Sequence, residues 1–220
     1  ITDVTDIGKF VPNMNVTGFS AGHVSSVNVF IRGIGIQDHL IAVDPGVSVS
    51  VDGVYLGRQV GQNWNLANIE RIEVLRGPQG TLYGRNSIGG AVNIITRQPD
   101  NDFRAKVSAD VGKLLSFETG DGLKQSYTLN LSGPIQTDRL FMGIAGKFYK
   151  KDGFMENTLT GDTVDDRQHW FGRAQLRWTP SDRMDISLAA SMLQYDDDAV
   201  NMSLTEMGAA AYGISAFADR

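Results

Sequence analysis

The sequence predicts an α+β domain with a small mixed sheet and short helices over residues 1–100, followed over residues 103–220 by antiparallel strands of an incomplete transmembrane β-barrel. Three observations support this fold class. The hydrophobic pattern changes near residue 100, from short glycine-containing runs to long two-residue alternation. The connections between the alternating segments are long and short in turn. No run approaches 18 consecutive apolar residues, which excludes a transmembrane helix but not a barrel.

The composition excludes several classes of protein. With 41% hydrophobic and 20% charged residues, the 220-residue chain cannot be wholly disordered. It contains no cysteine, which excludes disulfides, thiolate metal sites and a cysteine nucleophile. The formal net charge of −5 argues against nucleic acid as a partner, because phosphate binding requires a basic surface. We expect no cofactor and no catalytic residue. We also expect no metal site, because His23 and His39 have no partner at metal-ligating spacing.

The elements of the first domain follow from local patterns. Apolar residues at three- to four-residue spacing over residues 1–11 predict a short amphipathic helix ended by Pro12. The Asp52-Gly53 pair is typical of a type I′ turn and predicts a hairpin over residues 47–57. Alternating or apolar runs predict strands over residues 27–31, 47–51, 69–75 and 91–95.

The second part begins after a polar break at residues 98–102. It shows five alternating segments of about ten residues, the length that a tilted strand needs to cross a bilayer. We expect the apolar residues on the outer, lipid-facing side and polar residues such as Arg173, Gln175 and Arg177 on the inner side. The predicted strands cover residues 103–111, 127–133, 140–148, 170–178 and 184–192.

The connections between these strands favour a membrane barrel. Short turns at residues 134–138 and 180–182 alternate with long polar connections over residues 113–124 and 151–168. This alternation is typical of an outer-membrane barrel, although a soluble antiparallel sandwich shows the same residue periodicity. Five strands cannot close a barrel, and a barrel wide enough to hold a separate domain needs about 22 strands. The strands of this chain are therefore expected to belong to a larger barrel.

A glycine-rich segment at residues 68–96 carries the most specific motif, NIERIEVLRGPQGTLYGRNSIGGAVNIIT. Two shorter motifs precede it, IRG at residues 31–33 and VDGVY at residues 51–55. Together they resemble the plug domain of TonB-dependent outer-membrane receptors. The resemblance covers essentially all of the first domain, and the alternating strands resemble the first barrel strands of the same family.

The resemblance implies active uptake of a scarce, bulky substrate, most often a ferric siderophore, across the outer membrane of a Gram-negative bacterium, and no enzymatic activity. In this family TonB, with ExbB and ExbD, supplies the energy by pulling on a short N-terminal TonB box, which we expect before residue 1. Cobalamin or an oligosaccharide is the alternative substrate. The alternative from another class is a soluble β-sandwich glycosidase with the acidic cluster Asp196–Asp198 as its acid–base pair. A solvated acidic loop is the other interpretation of that cluster.

The resemblance also points to site residues. Arg32 and Arg76 match the two plug arginines that pair with barrel glutamates in this family, and directional, separable guanidinium–carboxylate pairs suit such a latch. Two ordinary solvated or cavity-facing charges are the alternative. In siderophore-type relatives the extracellular plug loops contact the ligand, and by position these loops are residues 18–26, 35–41 and 57–64. The candidate ligand contacts are Gln37, Asp38, His39, Arg58, Gln59 and Trp64.

Overall fold

The computed structural model describes most of the chain up to residue 197. The described residues are 4–18, 26–36, 43–59, 62, 67–114, 122–153, 155–156, 163–164 and 166–197. None of the helices within these residues is long and apolar enough to cross a membrane.

The described chain begins with a 3-10 helix, Val4–Lys9, whose residues Val4 and Ile7 are buried. The sequence predicts a helix here, and the tighter 3-10 form is the usual one for so short a segment. Strand β1, Met14–Gly18, then pairs antiparallel with β2, Val27–Ile31. The sequence predicts β2 but not β1, because the alternation of Met14, Asn15, Val16 and Thr17 is too short to give a strong local signal.

The next four strands form a mixed sheet: β3 Val47–Val51, β4 Val54–Tyr55, β5 Ile69–Arg76 and β6 Gly90–Thr96. Their order is β4-β3-β6-β5, with β3 and β6 parallel and the other neighbours antiparallel. Between β3 and β4, Asp52 and Gly53 have φ values of +49° and +81°, the left-handed conformations that the predicted hairpin turn requires. A single-turn helix, α1, lies between β5 and β6 at Gly80–Tyr83.

The core of the first domain lies between this sheet, the β1–β2 pair and the 3-10 helix. Valine and isoleucine dominate it, because β-branched side chains pack well on buried strands. All five residues of β3 are buried, including Ser48 and Ser50. The fully buried β-branched residues of this core are Val4, Val27, Ile31, Val49, Val92 and Ile94.

The rest of the described chain is dominated by long strands, and a short pair lies in the connection after the third. They are β7 Arg104–Leu114, β8 Gly122–Gln136, β9 Leu140–Lys151, β10 Met155–Glu156, β11 Thr163–Val164, β12 Arg167–Ser181 and β13 Met184–Asp197. The five long strands form one antiparallel sheet in the order β13-β12-β9-β8-β7. Each corresponds to a predicted strand, but their lengths run from 11 to 15 residues rather than about ten.

All five strands are longer than predicted, and two of them continue at their ends through prolines that the sequence assigns to turns. β8 runs through Pro134 and β12 through Pro180, and the pairing register shifts at both places. Proline lacks the N–H that the ladder needs, so a register shift is how a strand accommodates it. The observed turns are residues 137–139 and 182–183.

The predicted inner and outer faces of the long sheet are confirmed. Along β12, Phe171, Arg173 and Gln175 are at most 8% exposed, whereas Trp170 and Trp178 are 50% and 47% exposed. The apolar residues of the outer face include Val107, Val111, Tyr127, Leu129, Leu131, Met142, Ile144, Leu176, Leu188 and Met192. This polarity, apolar outside and polar inside, is that of a barrel wall rather than of a soluble sandwich.

The predicted boundary segment, residues 98–102, joins β6 to β7. Pro99 is fully buried, and Asn101 Nδ2 donates to Asp138 Oδ1 at 2.6 Å. The connection between the two sheets is therefore short and bonded to the wall. The two domain limits stay a prediction.

Candidate functional site

The two predicted latch arginines lie next to each other on the first domain. Arg32 follows β2 in a left-handed turn, with φ of +53°, and its backbone N–H donates to Asn13 O at 2.8 Å. Arg76 is the last residue of β5, and its Nη1 donates to Pro12 O at 3.3 Å. A Cβ at Gly77 would lie 3.7 Å from Arg32 Nη1, which places both guanidinium groups on one surface. Both arginines are exposed, and no carboxylate in the described stretches forms an ion pair with either.

Two of the six predicted ligand contacts lie in the described part of the chain. Arg58 is exposed, whereas Gln59 is 8% exposed. Gln59 Nε2 donates to Ile36 O at 2.7 Å and lies 3.5 Å from Asn28 Oδ1, so its amide links the connection after β4 to the one after β2. Whether either residue contacts a ligand stays a prediction. The other four contacts lie outside the described residues: Gln37, Asp38, His39 and Trp64.

The glycine-rich motif forms a tight turn that leaves no room for a side chain where β6 begins. Gly90 has φ of +151°, and a Cβ there would lie 2.2 Å from Leu75 O. Asn86 Nδ2 donates to Tyr55 OH at 2.7 Å, which joins the glycine-rich motif to the VDGVY motif. The motif residues therefore build the scaffold that positions the turn between β3 and β4.

A buried ion pair links this turn to the barrel strands, and sequence reasoning missed it. Asp52 Oδ2 lies 2.6 Å from Arg173 Nη2. The Arg173 side chain is 6% exposed and that of Asp52 is 23% exposed. Thr96 donates to the same carboxylate twice, from its backbone N–H to Oδ1 and from its hydroxyl to Oδ2, both at 2.8 Å. Each carboxylate oxygen thus has a donor within its own domain, and Oδ2 has a second donor from the wall.

Neighbouring side chains extend the pair into a network. Arg173 Nη1 donates to Ser191 Oγ at 2.9 Å, which ties β12 to β13. Gln175 Nε2 donates to Thr96 Oγ1 at 3.1 Å, and its Oε1 accepts from Asn68 Nδ2 at 3.3 Å. Within the described stretches, Arg173 Nε is buried without a hydrogen-bond partner. The guanidinium is therefore dependent on Asp52 for its charge compensation.

The sequence holds only half of the signal for this network. Its alternation correctly predicts that Arg173 and Gln175 face inward, and an enclosed charge needs a partner. The sequence marks Asp52 as a turn residue within the VDGVY motif but indicates no charged partner for it. The two members of the pair are 121 residues apart, so no local pattern connects them.

An apolar contact lies beside the network. Ala67 of the first domain packs with Ala145 of β9 and Phe171 of β12, and all three are buried. Phe171, Arg173 and Gln175 are successive inner-facing residues, so the first domain covers this part of β12 without a gap.

A polar cavity of about 430 Å³ separates the first domain from the inner face of β7 and β8. It adjoins the network at Asn68, and Asn130 Oδ1 is buried there with no partner among the described residues. The polar lining includes Asn68, Arg97, Lys106, Ser126, Thr128 and Asn130. The two parts are thus in close contact at β12 and separated by polar space at β7 and β8.

One carboxylate with a shifted pKa lies where the chain enters β7. Arg104 Nη1 and Nη2 donate to the two oxygens of Asp100 at 2.8 and 2.9 Å. These hydrogen bonds hold the pKa of Asp100 below its usual value, although partial burial opposes the shift.

The acidic cluster of the glycosidase alternative lies at the limit of the described chain. Asp196 pairs with Gln168 near the end of β13, and Asp198 lies outside the described residues. No group of three or more His, Cys, Asp or Glu within the described stretches could hold a metal ion.

One sequence family and many known proteins match the chain, among them two curated receptors. Residues 1–91 match the family model of the TonB-dependent Receptor Plug Domain. The Pesticin receptor of Yersinia enterocolitica is 31% identical over 195 residues, which cover 87% of this chain and 27% of the relative. The Ferric enterobactin receptor PirA of Pseudomonas aeruginosa is 31% identical over 186 residues, covering 80% of this chain and 25% of the relative. The chain therefore spans about a quarter of the length of these relatives.

A solved structure agrees with the observed fold. The crystal structure of the ferric yersiniabactin uptake receptor FyuA from Yersinia pestis matches with a TM-score of 0.72 and 29% identity, over 86% of this chain and 28% of that one. The plug-domain match, the mixed sheet and the barrel-type polarity of the long sheet all indicate the same receptor family. Residues 1–91 therefore form a plug domain of the TonB-dependent receptor family, and the antiparallel strands that follow match the solved structures of such receptors.

Proposed function

We propose that the protein is a receptor of the Gram-negative outer membrane that takes up a ferric siderophore by active transport. The observation that carries this proposal is the buried network between Asp52 and Arg173. The first domain is bonded to the polar inner face of a sheet whose outer face is apolar. This is the arrangement of a domain that closes a membrane pore. The relatives support the substrate, since one is named for ferric enterobactin and another for ferric yersiniabactin.

Displacing the plug domain requires energy from outside the barrel. A buried ion pair loses its charge compensation when its partners separate, so the plug does not leave this seat spontaneously. The outer membrane has no ATP or ion gradient of its own. We therefore assign the energy source to TonB, with ExbB and ExbD, acting through a TonB box. Lipid would surround the apolar outer face, the plug would comprise residues 1–100, and residues 103–220 would belong to the barrel.

The proposed site has two parts on the plug. Arg32 and Arg76 would latch onto glutamates of the barrel wall, which fits their exposure, their proximity and the lack of a carboxylate partner in the described chain. The ligand would bind the extracellular loops, and the hydrogen bond from Gln59 to Ile36 O would hold two of these loops together. The proposed contacts are Gln37, Asp38, His39, Arg58, Gln59 and Trp64.

The test is uptake by cells that express the complete protein. Radioactive iron is supplied as ferric yersiniabactin and as ferric enterobactin, with labelled cobalamin and a labelled oligosaccharide as the alternative substrates. We expect one ferric siderophore to accumulate only in cells with intact TonB, while binding to the cell surface is unaffected by TonB deletion. Accumulation of cobalamin or the oligosaccharide instead would show that this molecule is the substrate. Uptake in cells without TonB would refute TonB as the energy source.

A further inference from the structure

The contacts between the plug and the described strands of the wall differ from strand to strand. On β12, three successive inner-facing residues, Phe171, Arg173 and Gln175, are all buried against the plug. On β7, inner-facing Lys106 is exposed and lines the polar cavity. Among the described long strands, β12 is therefore bonded to the plug, whereas β7 and β8 are separated from it by polar space.

We propose that Asp52 and Arg173 form an anchor that keeps the plug sheet on β12 and β13 while TonB pulls, so that the substrate path opens along β7 and β8. This inference rests on the proposed function. It makes Asp52 and Arg173 positioning residues, which act on the plug rather than on the ligand. The polar cavity, already about 430 Å³, is the part of the interface that widens.

The bonding pattern explains why this contact resists a pull. Asp52 is tied to Thr96 at the end of β6 by two hydrogen bonds, so a force on the pair is borne by the sheet. On the wall, Arg173 also donates to Ser191 of the next strand, which spreads the load over two strands. Separating the pair would leave a guanidinium that is 6% exposed without its counter-charge.

The predicted latch differs in this respect. Within the described chain, Arg32 and Arg76 form no ion pair with a carboxylate, and the glutamates proposed to pair with them would come from barrel strands outside it. The Asp52–Arg173 pair is complete within the plug and β12, so its role can be tested separately from the latch.

The variants to test are Asp52→Asn, Arg173→Gln and their combination, in the complete receptor. Asparagine tolerates the left-handed turn at position 52 and still accepts a hydrogen bond, so the change removes mainly the charge. Arg173→Lys is the conservative variant, because it keeps the charge without the guanidinium fork. The matched control is Arg177→Gln, which removes an arginine of the same strand whose partner, Asp185, belongs to the barrel.

The main measurement is entry of vancomycin, a hydrophilic antibiotic that the intact outer membrane excludes. It is made with ferric yersiniabactin or ferric enterobactin present, whichever the unmodified receptor binds, in energised cells and in cells treated with a protonophore. Ligand binding and the amount of folded receptor are measured on the same cells.

We expect Asp52→Asn and Arg173→Gln to bind ligand normally and to raise vancomycin sensitivity at least about tenfold in energised cells only, as loss of a buried pair implies. Arg173→Lys should restore part of the exclusion, and Arg177→Gln should behave as the unmodified receptor. The double variant should be no worse than the more sensitive single one, because both changes break one pair.

Equal vancomycin sensitivity of the variants with and without the protonophore would overturn the anchor. The pair would then be needed to hold the plug in the barrel at all times and not specifically while TonB pulls. No gain in sensitivity in energised cells would overturn it as well. The unmodified receptor tests the proposed function separately: if it takes up neither ferric siderophore with TonB present, the proposed function fails, whatever the variants do.

Discussion

At the scale of single residues, Asp52 combines two requirements that are usually met by different side chains. The hairpin turn needs a residue that tolerates positive φ, and aspartate is among the few that do. The buried Arg173 needs a carboxylate, which asparagine or glycine at the turn would not supply. The hairpin turn and the ion pair with Arg173 therefore both favour aspartate at position 52.

Gly90 is the backbone position with the least freedom in the glycine-rich motif. Gly90→Ala should destabilise the plug by about 3 kcal/mol, because the new Cβ would overlap Leu75 O at 2.2 Å in a strained backbone conformation. The measurement is thermal unfolding of the purified receptor in detergent, together with protease resistance of the plug. Gly80→Ala is the control, since no atom lies within 4 Å of a Cβ there. Equal effects of the two changes would contradict the steric explanation.

At the scale of elements, the sequence predicts most of the strands, but it predicts less accurately the residues at which they begin and end. Strands over residues 27–31 and 47–51 are found with the predicted bounds, because their alternation is local and strong. β8 and β12 run past their predicted ends, because a register shift admits Pro134 and Pro180 into the ladder. β1 escapes prediction because pairing with β2 stabilises it more than its own pattern does.

The faces of β8 allow a direct test of the barrel assignment. Leu129→Arg should lower stability by about 2–4 kcal/mol if the residue lies near the bilayer midplane, because it faces outward. Thr128→Arg should have a much smaller effect, because Thr128 lines the polar cavity on the inner side. The measurement is the fraction of receptor recovered in folded, heat-modifiable form from outer membranes. A larger loss for Thr128→Arg would mean that the two faces are exchanged.

The ion pair at the start of β7 should give the chain a defined response to acid. The pKa of Asp100 is lowered in the folded protein, so its contribution is complete above the usual aspartate value of 3.8 and is lost as the pH falls through the folded pKa. The loss in Tm caused by Asp100→Asn should therefore be constant from pH 7 to about pH 4.5 and should vanish at lower pH. The effect should be small, because the Asp100 side chain is 42% exposed.

The control for this prediction is ionic strength. Salt screens an exposed pair, so the difference in Tm at pH 7 should shrink in about 1 M salt. A difference that grows on acidification would show that the carboxylate is destabilised in the folded protein, contrary to the assignment.

At the scale of the whole molecule, the candidate site shows what sequence can and cannot predict. The family motifs identify the plug, and the alternation correctly assigns the inner face of β12. The pairing of Asp52 with Arg173 depends on how a 121-residue separation closes in space, which no local pattern encodes. Both positions can be found from the sequence, but their contact cannot.

The predicted latch is also a property of the whole receptor. Arg32→Ala and Arg76→Ala should each leave equilibrium ligand binding within about twofold, because both residues bond to the turn at Pro12 and Asn13, which is not a predicted ligand loop. Both changes should alter TonB-dependent uptake by the same cells. Arg71→Ala is the control, since Arg71 is an exposed plug arginine paired with Glu70 and Glu73. Collapse of binding in both variants, with normal insertion, would assign the arginines to the ligand site.

The long sequence separation of the anchor has a consequence for the order of biosynthesis. The plug residues are translated and exported before the strands that receive them, so the plug sheet can mature while β12 and β13 do not yet exist. During that interval the carboxylate of Asp52 has no guanidinium partner. The ion pair must wait for Arg173, and the bond that extends it to β13 must wait for Ser191, which come 121 and 139 residues later. The plug strands are therefore made first, and the contact that anchors them to β12 forms last.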